Sequence, residues 1–189
     1  MRVIAGKARR LNLVTTPGLD TRPTADKIKE TLFNILNPYL PGCNFLDLFS
    51  GSGAIGIEAL SRDASLCVFV DNSPKAVKCI NDNLKTTHLE DGAAVICKNA
   101  SAAIAQLAVK KYRFDIVYLD PPYKEGLERE TLRLLAGSGV IDGDAIIIVE
   151  ASRKTGTGFL EGLPYEITRI KDYKNNRHIF LKFIPGGQS

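Results

Sequence analysis

The chain lacks several residue patterns that define large classes of proteins. Its 189 residues include no tryptophan, two histidines and four cysteines, and no two cysteines form a Cys-x-x-Cys pair. This scarcity argues against a zinc site or a disulfide framework and predicts buried, reduced thiols in a cytoplasmic protein. No apolar run approaches the roughly 18 residues of a membrane span, and no signal peptide precedes Arg2. We therefore expect neither a metal nor a membrane partner.

What the sequence does contain is an ordinary globular composition with an uneven distribution of charge. Its length and its 44% hydrophobic residues fit one domain covering 1–189, with 1–23 as a basic hairpin and loop extension. Residues 1–30 hold seven basic and three acidic side chains, so this stretch accounts for the whole net charge of +4. A basic arm on a neutral body favours a phosphate-rich partner, and a plain solvated surface explains the charge equally well.

From residue 44 onward, the hydrophobic pattern alternates between strands and helices. Apolar runs with β-branched residues predict five core strands, at 44–49, 66–70, 93–97, 114–119 and 145–149. Helical patterns follow the first four of them, and two antiparallel strands are predicted last, at 165–171 and 178–184. Repeated strand–helix units with continuous apolar strands predict an α/β fold, with a mostly parallel seven-stranded sheet covered by helices on both faces.

One buried strand ends abruptly at an acid, two prolines and an aromatic ring. The apolar run 114–119 is followed directly by Asp120-Pro121-Pro122-Tyr123. The prolines remove two N–H donors and fix φ, which holds Asp120 at the carboxyl end of a strand, where open α/β sheets bind ligands. A carboxylate and the Pro121 carbonyl can accept two hydrogen bonds from one amino group, and the Tyr123 ring can stack on a flat base. The pattern predicts a site for an exocyclic amine, whereas a bare Pro-Pro pair alone indicates only a turn.

A glycine-rich turn lies between the first core strand and its helix. The run Gly51-Ser52-Gly53-Ala54-Ile55-Gly56 fits G-x-G-x-x-G, in which glycine lets backbone N–H groups approach a ligand closely. Asp71 ends the second strand about 20 residues later, where a carboxylate can hold ribose hydroxyls, and an acid that only starts a helix is the alternative. Asp47, inside the first strand, suits a cationic amino acid better than a pyrophosphate. The set therefore favours S-adenosylmethionine over a nicotinamide dinucleotide.

These motifs together resemble those of class I methyltransferases that act on exocyclic nitrogen. The stretches that carry the resemblance are 46–53 and 120–123. Three further stretches, 18–24, 29–36 and 56–62, resemble the bacterial RsmD family, which methylates N2 of guanine 966 in 16S ribosomal RNA. The resemblance implies a Rossmann-like fold, S-adenosylmethionine as the cofactor, and a monomeric cytoplasmic enzyme whose partner is the assembling 30S subunit.

The resemblance also implies roles for particular residues. Catalysis is expected from Asp120, Pro121, Pro122 and Tyr123. Cofactor binding is expected from residues in turns and at strand ends, namely Asp47, Phe49, Ser50, Gly51, Ser52, Gly53, Asp71, Asn72, Asn99 and Ala100. RNA binding is expected from basic residues near the amino terminus, namely Arg2, Lys7, Arg9, Arg10 and Arg22. The chain departs from the family at Asn99, where an acid is usual, and in the turn 171–176.

Three alternatives stay open. The first is a methyltransferase for another amine, either adenine in DNA or a protein glutamine. Against DNA, the chain has no room for a separate DNA-recognition domain. Against glutamine, Asp120 stands at the position where the glutamine methyltransferases have asparagine. The second is a nicotinamide-dependent oxidoreductase, against which Asp47 and the double proline count. The third is a non-catalytic RNA-binding assembly factor that kept the fold.

Overall fold

The computed structural model describes residues 1–15, 23–122 and 126–186. The helices are α1 (Pro23–Leu36), α2 (Ala54–Ser61), α3 (Pro74–Thr87), α4 (Ala100–Val109) and α5 (Leu127–Ser138). The strands are β1 (Asn44–Leu48), β2 (Leu66–Asp71), β3 (Ala93–Cys97), β4 (Ile116–Leu119), β5 (Ile146–Ser152), β6 (Tyr165–Asp172) and β7 (Asn176–Phe183). The strand order β3-β2-β1-β4-β5-β7-β6 confirms the predicted α/β class and the seven-stranded sheet.

The chain divides into two compact units, Met1–Asn99 and Ala100–Ser189. In the amino-terminal unit, β1 pairs with β2 and β2 pairs with β3, both in parallel. Helix α2 packs directly on β2 because it carries no side chain at Gly56. A Cβ atom there would lie 2.3 Å from Cε1 of Phe69 and 2.5 Å from Sγ of Cys67.

The first fourteen residues form the predicted hairpin, as a short antiparallel ladder. Its only bridge pair among the described residues joins Arg2 to Asn12. The Val3 amide donates to Leu11 O at 2.9 Å, and the Arg10 amide donates back to Val3 O at 2.9 Å. The backbone of this hairpin is thus satisfied over a few residues instead of along regular strands.

The hairpin is anchored on α2 by one buried carboxylate. Glu58 is fully buried and accepts the amide hydrogens of Ile4 at 2.8 Å and Ala5 at 3.0 Å. It also pairs with Lys29 Nζ at 3.1 Å and with Arg62 Nε at 2.9 Å. Two cations and two amides offset the cost of burying that charge, so the hairpin is a fixed part of the amino-terminal unit.

In the carboxy-terminal unit, β5 pairs in parallel with β4 and antiparallel with β7, and β7 pairs antiparallel with β6. β5 runs to Ser152, three residues past its predicted end, because its backbone pairing with β7 continues through Glu150↔His178 to Ser152↔Asn176. β6 is exposed along most of its length. Within the described ranges, no helix is both long and apolar enough to cross a membrane.

Candidate active-site residues

The turn after β1 is tight and conformationally unusual. Three of its residues have positive φ: Phe49 (64°), Gly51 (55°) and Gly53 (77°). Glycine adopts such angles without steric cost, whereas Phe49 is held there against its preference. Ser50 fixes the turn, since its hydroxyl donates to Asp47 O at 2.6 Å and its carbonyl accepts the Gly53 amide at 2.7 Å. The predicted residues Phe49 to Gly53 therefore form one compact turn at the carboxyl end of β1.

Asp71 lies at the end of β2 and ties the glycine turn to the start of α3. Its Oδ2 accepts the Gly51 amide at 2.9 Å, and its Oδ1 accepts the Ser73 amide at 2.9 Å. Ser73 in turn caps α3 through Ala76 N at 3.4 Å. Asp71 thus does organise a helix start, as the alternative interpretation held. Each carboxylate oxygen keeps a second lone pair, so ribose hydroxyls are compatible with these bonds.

Asp47 is a nearly isolated buried acid. It is 1% exposed, and its Oδ2 accepts the Gly56 amide at 3.0 Å. Burial raises the pKa of Asp47 to about 7, only partly offset by the Gly56 hydrogen bond, and the nearby charge of Asp71 raises it further. The ion pairs of the described residues do not include Asp47. A buried carboxylate with a single donor fits the cationic amino-acid end of S-adenosylmethionine.

The remaining predicted cofactor residues lie where strands end. Asn72 is exposed directly after β2, and Asn99 is exposed two residues after β3. Ser52 is buried in the glycine turn, and Ala100 is the buried first residue of α4. Within the ranges that the structure describes, no cluster of three or more metal-ligating side chains occurs.

The predicted catalytic motif begins directly after β4. Asp120 comes directly after Leu119, the last residue of the strand, and its side chain is exposed. Pro121 is buried and Pro122 is exposed. Tyr123 lies outside the described residues. The predicted acid is therefore displayed at the carboxyl end of a buried strand.

The predicted RNA-binding residues fall into two groups. Arg2, Arg9 and Arg10 line one cleft in the amino-terminal unit. Lys7 is not among the residues that line it, and its Nζ pairs with Asp63 Oδ1 at 2.8 Å. Arg22 lies outside the described residues.

A polar network in the carboxy-terminal unit was not foreseen from the sequence. Glu150 on β5 accepts hydrogen bonds from the Tyr118 hydroxyl and the Asn176 amide, and its Oε2 lies 3.3 Å from His178 Nε2. His178 Nδ1 lies 3.1 Å from the Tyr173 hydroxyl. Tyr173 and Asn176 belong to the turn that departs from the family pattern. The available signal was a glutamate at the end of an otherwise apolar strand.

A second contact missed from the sequence joins the hairpin to the glycine turn. The fully buried Asn83 accepts the Val14 amide at 2.8 Å and donates to Val14 O at 2.9 Å. The same amide nitrogen donates to Ser52 O at 2.9 Å. Asn83 stands in the otherwise periodic sequence of α3, where a buried polar residue is the only signal.

The fold and these strand ends define a class of protein. Parallel strands β1, β2, β4 and β5, with β7 antiparallel between β5 and β6, form the fold of class I S-adenosylmethionine-dependent methyltransferases. The buried acid and glycine turn after β1 and the Asp-Pro-Pro run after β4 occupy the ends of strands where such folds bind ligands. The predicted cofactor, S-adenosylmethionine, is confirmed at the level of this class.

Comparison with known proteins identifies the family. The chain belongs to the family described as Conserved hypothetical protein 95, whose model matches residues 1–182, and the predicted RsmD-family membership is confirmed. It is 42% identical to "Putative rRNA methyltransferase YlbH" of Bacillus subtilis over 82% of this chain and 84% of that one. It is 38% identical to "Ribosomal RNA small subunit methyltransferase D" of Escherichia coli, over 82% and 77% of the two chains. A solved structure, "Putative methyltransferase yhhF from Escherichia coli", matches with a TM-score of 0.82 and 33% identity, over 97% and 98% of the two chains.

Proposed function

We propose that this protein transfers the methyl group of S-adenosylmethionine to the exocyclic N2 of guanine 966 in 16S ribosomal RNA. The relatives that match over most of the chain are named as methyltransferases of ribosomal RNA, which supports the reaction and the kind of acceptor. The observation that carries the finer assignment is Asp120, an exposed carboxylate placed by β4 and followed by two prolines. The proposal includes action by a monomer on the assembling 30S subunit in the cytoplasm.

The glycine turn and its two acids would hold the cofactor. Asp47 would bind the amino group of its amino-acid end, and Asp71 would accept hydrogen bonds from its ribose hydroxyls. Asn72, Asn99 and Ala100 would contact the adenine, with the Asn99 amide oxygen as an uncharged acceptor. The bound cofactor supplies an electrophilic methyl group on a sulfonium.

Asp120 and the Pro121 carbonyl would act on the acceptor. The lone pair of the guanine amino group is delocalised into the ring, which makes N2 a poor nucleophile. Two acceptors that hold its N–H bonds would orient the lone pair for attack on the methyl carbon, whose bond to sulfur breaks as the new N–C bond forms. The Asp120 carboxylate would stabilise positive charge developing on nitrogen and accept the N–H proton that is then released. Tyr123 would stack on the base, a contact worth ~1–3 kcal/mol, once the nucleotide is turned out of its helix.

The first test is methyl transfer from labelled S-adenosylmethionine to small-subunit particles lacking the modification, to naked 16S RNA and to duplex DNA. We expect N2-methylguanine in a ribosomal sample, and a loss of ~10²–10³ in rate for Asp120→Ala with cofactor binding retained. Asp115→Ala is the matched control, because Asp115 is an exposed aspartate that precedes the same strand.

Each other outcome points to a different function. Label in DNA or protein but not in RNA would keep the chemistry and overturn the acceptor. Cofactor binding without transfer to any acceptor would favour a non-catalytic assembly factor.

A further inference from the structure

The amino-terminal unit contains a cleft lined by both signs of charge. Its volume is about 490 Å³, and its charged lining consists of Arg2, Arg9, Arg10, Lys27, Asp26 and Glu30. The cleft lies between the hairpin and the first turns of α1, and its lining includes none of the residues assigned above to cofactor or catalysis. Four cations facing two carboxylates leave a net positive cleft with two acceptors inside it.

Three cations of the cleft are accessible to a phosphate group. Arg9, Arg10 and Lys27 are exposed, and a guanidinium matches the geometry of phosphate oxygens with paired N–H donors. Arg10 has φ of 72°, a left-handed conformation that is unfavourable for a side chain of this size. The hydrogen bond that its backbone amide donates to Val3 O helps to hold that conformation. Strained residues of this kind concentrate at binding sites, where the fold maintains a conformation for its ligand.

One oxygen of the Asp26 carboxylate lacks a hydrogen-bond donor in the part of the chain that the structure describes. Its Oδ2 lies 3.2 Å from Arg2 Nε, whereas its Oδ1 is buried and has no hydrogen-bond partner among the described residues. A buried carboxylate oxygen without a donor lowers the stability of the folded protein, so such atoms are rare in native structures. A ligand N–H or O–H group that draws the Asp26 carboxylate toward the cleft would remove this deficit.

We propose that this cleft binds one nucleotide of the RNA substrate. The phosphates lie on Arg9, Arg10 and Lys27, and an amino or imino group of the base donates to the Asp26 carboxylate. The volume suits a single nucleotide better than a duplex, and nucleobases that are read by proteins in RNA are usually unpaired. The inference rests on the proposed function for the nature of the ligand, and it adds a contact that reads the base as well as the backbone.

Two isosteric substitutions distinguish a cleft that recognises a base from a surface that attracts RNA by its positive charge alone. Removing a carboxylate from a protein strengthens its attraction for a polyanion, so Asp63→Asn, which unpairs Lys7, should leave RNA binding equal or tighter. Asp26→Asn makes the same change in charge inside the cleft. Because the acceptor for the base is weakened, we expect RNA binding to weaken about tenfold, against the electrostatic trend.

The experiment is fluorescence anisotropy of a labelled 16S RNA fragment with the full chain at several salt concentrations. Arg9→Ala and Arg10→Ala should each shallow the log–log salt slope by ~0.7, and Lys78→Ala, at an exposed lysine of α3 that does not line the cleft, should leave it unchanged. The melting temperature and cofactor binding of each variant establish that it is folded. Equal or tighter binding by Asp26→Asn, or equal slopes for Lys78→Ala and Arg9→Ala, would overturn the nucleotide cleft.

Methyl transfer measured on the same samples distinguishes the two proposals. If the wild-type protein neither binds nor methylates RNA, the proposed function fails. If it does both while Asp26→Asn behaves like Asp63→Asn, only the cleft is rejected.

Discussion

Two carboxylates, the buried Asp47 in one compact unit and the partly buried Glu150 in the other, are in opposite electrostatic states. Asp47 on β1 receives one backbone amide, and burial raises its pKa to about 7. Desolvation also acts to raise the pKa of Glu150 on β5. The pKa nevertheless lies below its ordinary value, because His178 contributes a hydrogen bond and charge and Tyr118 and Asn176 donate further hydrogen bonds. The first acid is destabilised in its charged form, and the second is stabilised in that form.

The difference favours a structural role for Glu150 and agrees with the cofactor-binding role proposed for Asp47. A carboxylate surrounded by donors contributes to the stability of the fold, since its charge is offset within the protein. A carboxylate short of donors lowers stability unless a ligand brings the missing positive charge. We therefore expect mutations of the two acids to change stability in opposite directions.

The largest effect is expected for Glu150→Ala. The substitution leaves the Tyr118 hydroxyl and the buried His178 ring without their shared partner, so the free energy of unfolding should fall by ~3 kcal/mol. Because the folded-state pKa of Glu150 is lowered, this stabilisation is present above the usual carboxyl pKa and is lost as pH falls through the lowered value. Urea denaturation of wild type and variant at neutral and acid pH measures both effects.

Glu166→Ala is the control for that loss. Glu166 lies on the exposed strand β6 of the same unit, where substitutions usually change stability by less than about 0.5 kcal/mol. Equal losses for Glu150→Ala and Glu166→Ala would show that the Glu150 network adds nothing to stability.

A smaller effect of opposite sign is expected for Asp47→Asn. A raised folded-state pKa means that the wild-type protein loses stability as pH rises from the unfolded value of 3.8 to about 7. The asparagine variant does not ionise, so at pH 8 it should be more stable by roughly 1–3 kcal/mol, below the limit of ~1.4 kcal/mol per unit of pKa shift. Thermal unfolding at pH 5 and pH 8 tests this, with the exposed Asp91→Asn as the control. If the variant is less stable than wild type at both pH values, burial does not destabilise the ionised form of Asp47.

The smallest effect concerns cofactor affinity. If Asp47 binds the cofactor amino group, it must be ionised in the complex, so affinity for S-adenosylmethionine should rise about tenfold per pH unit well below the pKa of about 7 and level off above it. The cofactor also titrates, and Asp47→Asn isolates that contribution. Isothermal titration calorimetry of both proteins from pH 5.5 to 8 gives the comparison, and parallel curves would remove Asp47 from the amino-group site.

Much of the secondary structure could be predicted because local patterns determine it. Strand β3 has the bounds expected from its apolar run and flanking turns. The end of β5 could not be predicted, since the apolar run stops before Glu150 whereas backbone pairing with β7 depends only on hydrogen bonds. Periodicity reports burial, and it does not report where a strand stops pairing.

The candidate site was only partly predictable, for the same reason. Asp47, Asp71 and Asp120 could be placed because strand ends and glycine turns mark them in the sequence. The other partners of Glu58 and Glu150 could not, since every donor except Arg62 lies more than twenty residues away in the chain and no spacing rule connects them. Polar networks between distant segments depend on the tertiary fold.

The Asn83 side chain links the glycine turn to the backbone of Val14. One side chain holds the amide and carbonyl of Val14 and the carbonyl of Ser52, so a shift of the turn is transmitted to the Val14 amide hydrogen. Hydrogen-exchange protection of that amide should therefore follow occupancy of the cofactor site, although Val14 lies in a different segment of the chain. Ligand binding by this enzyme can be observed at a backbone position that needs no label and takes no part in catalysis.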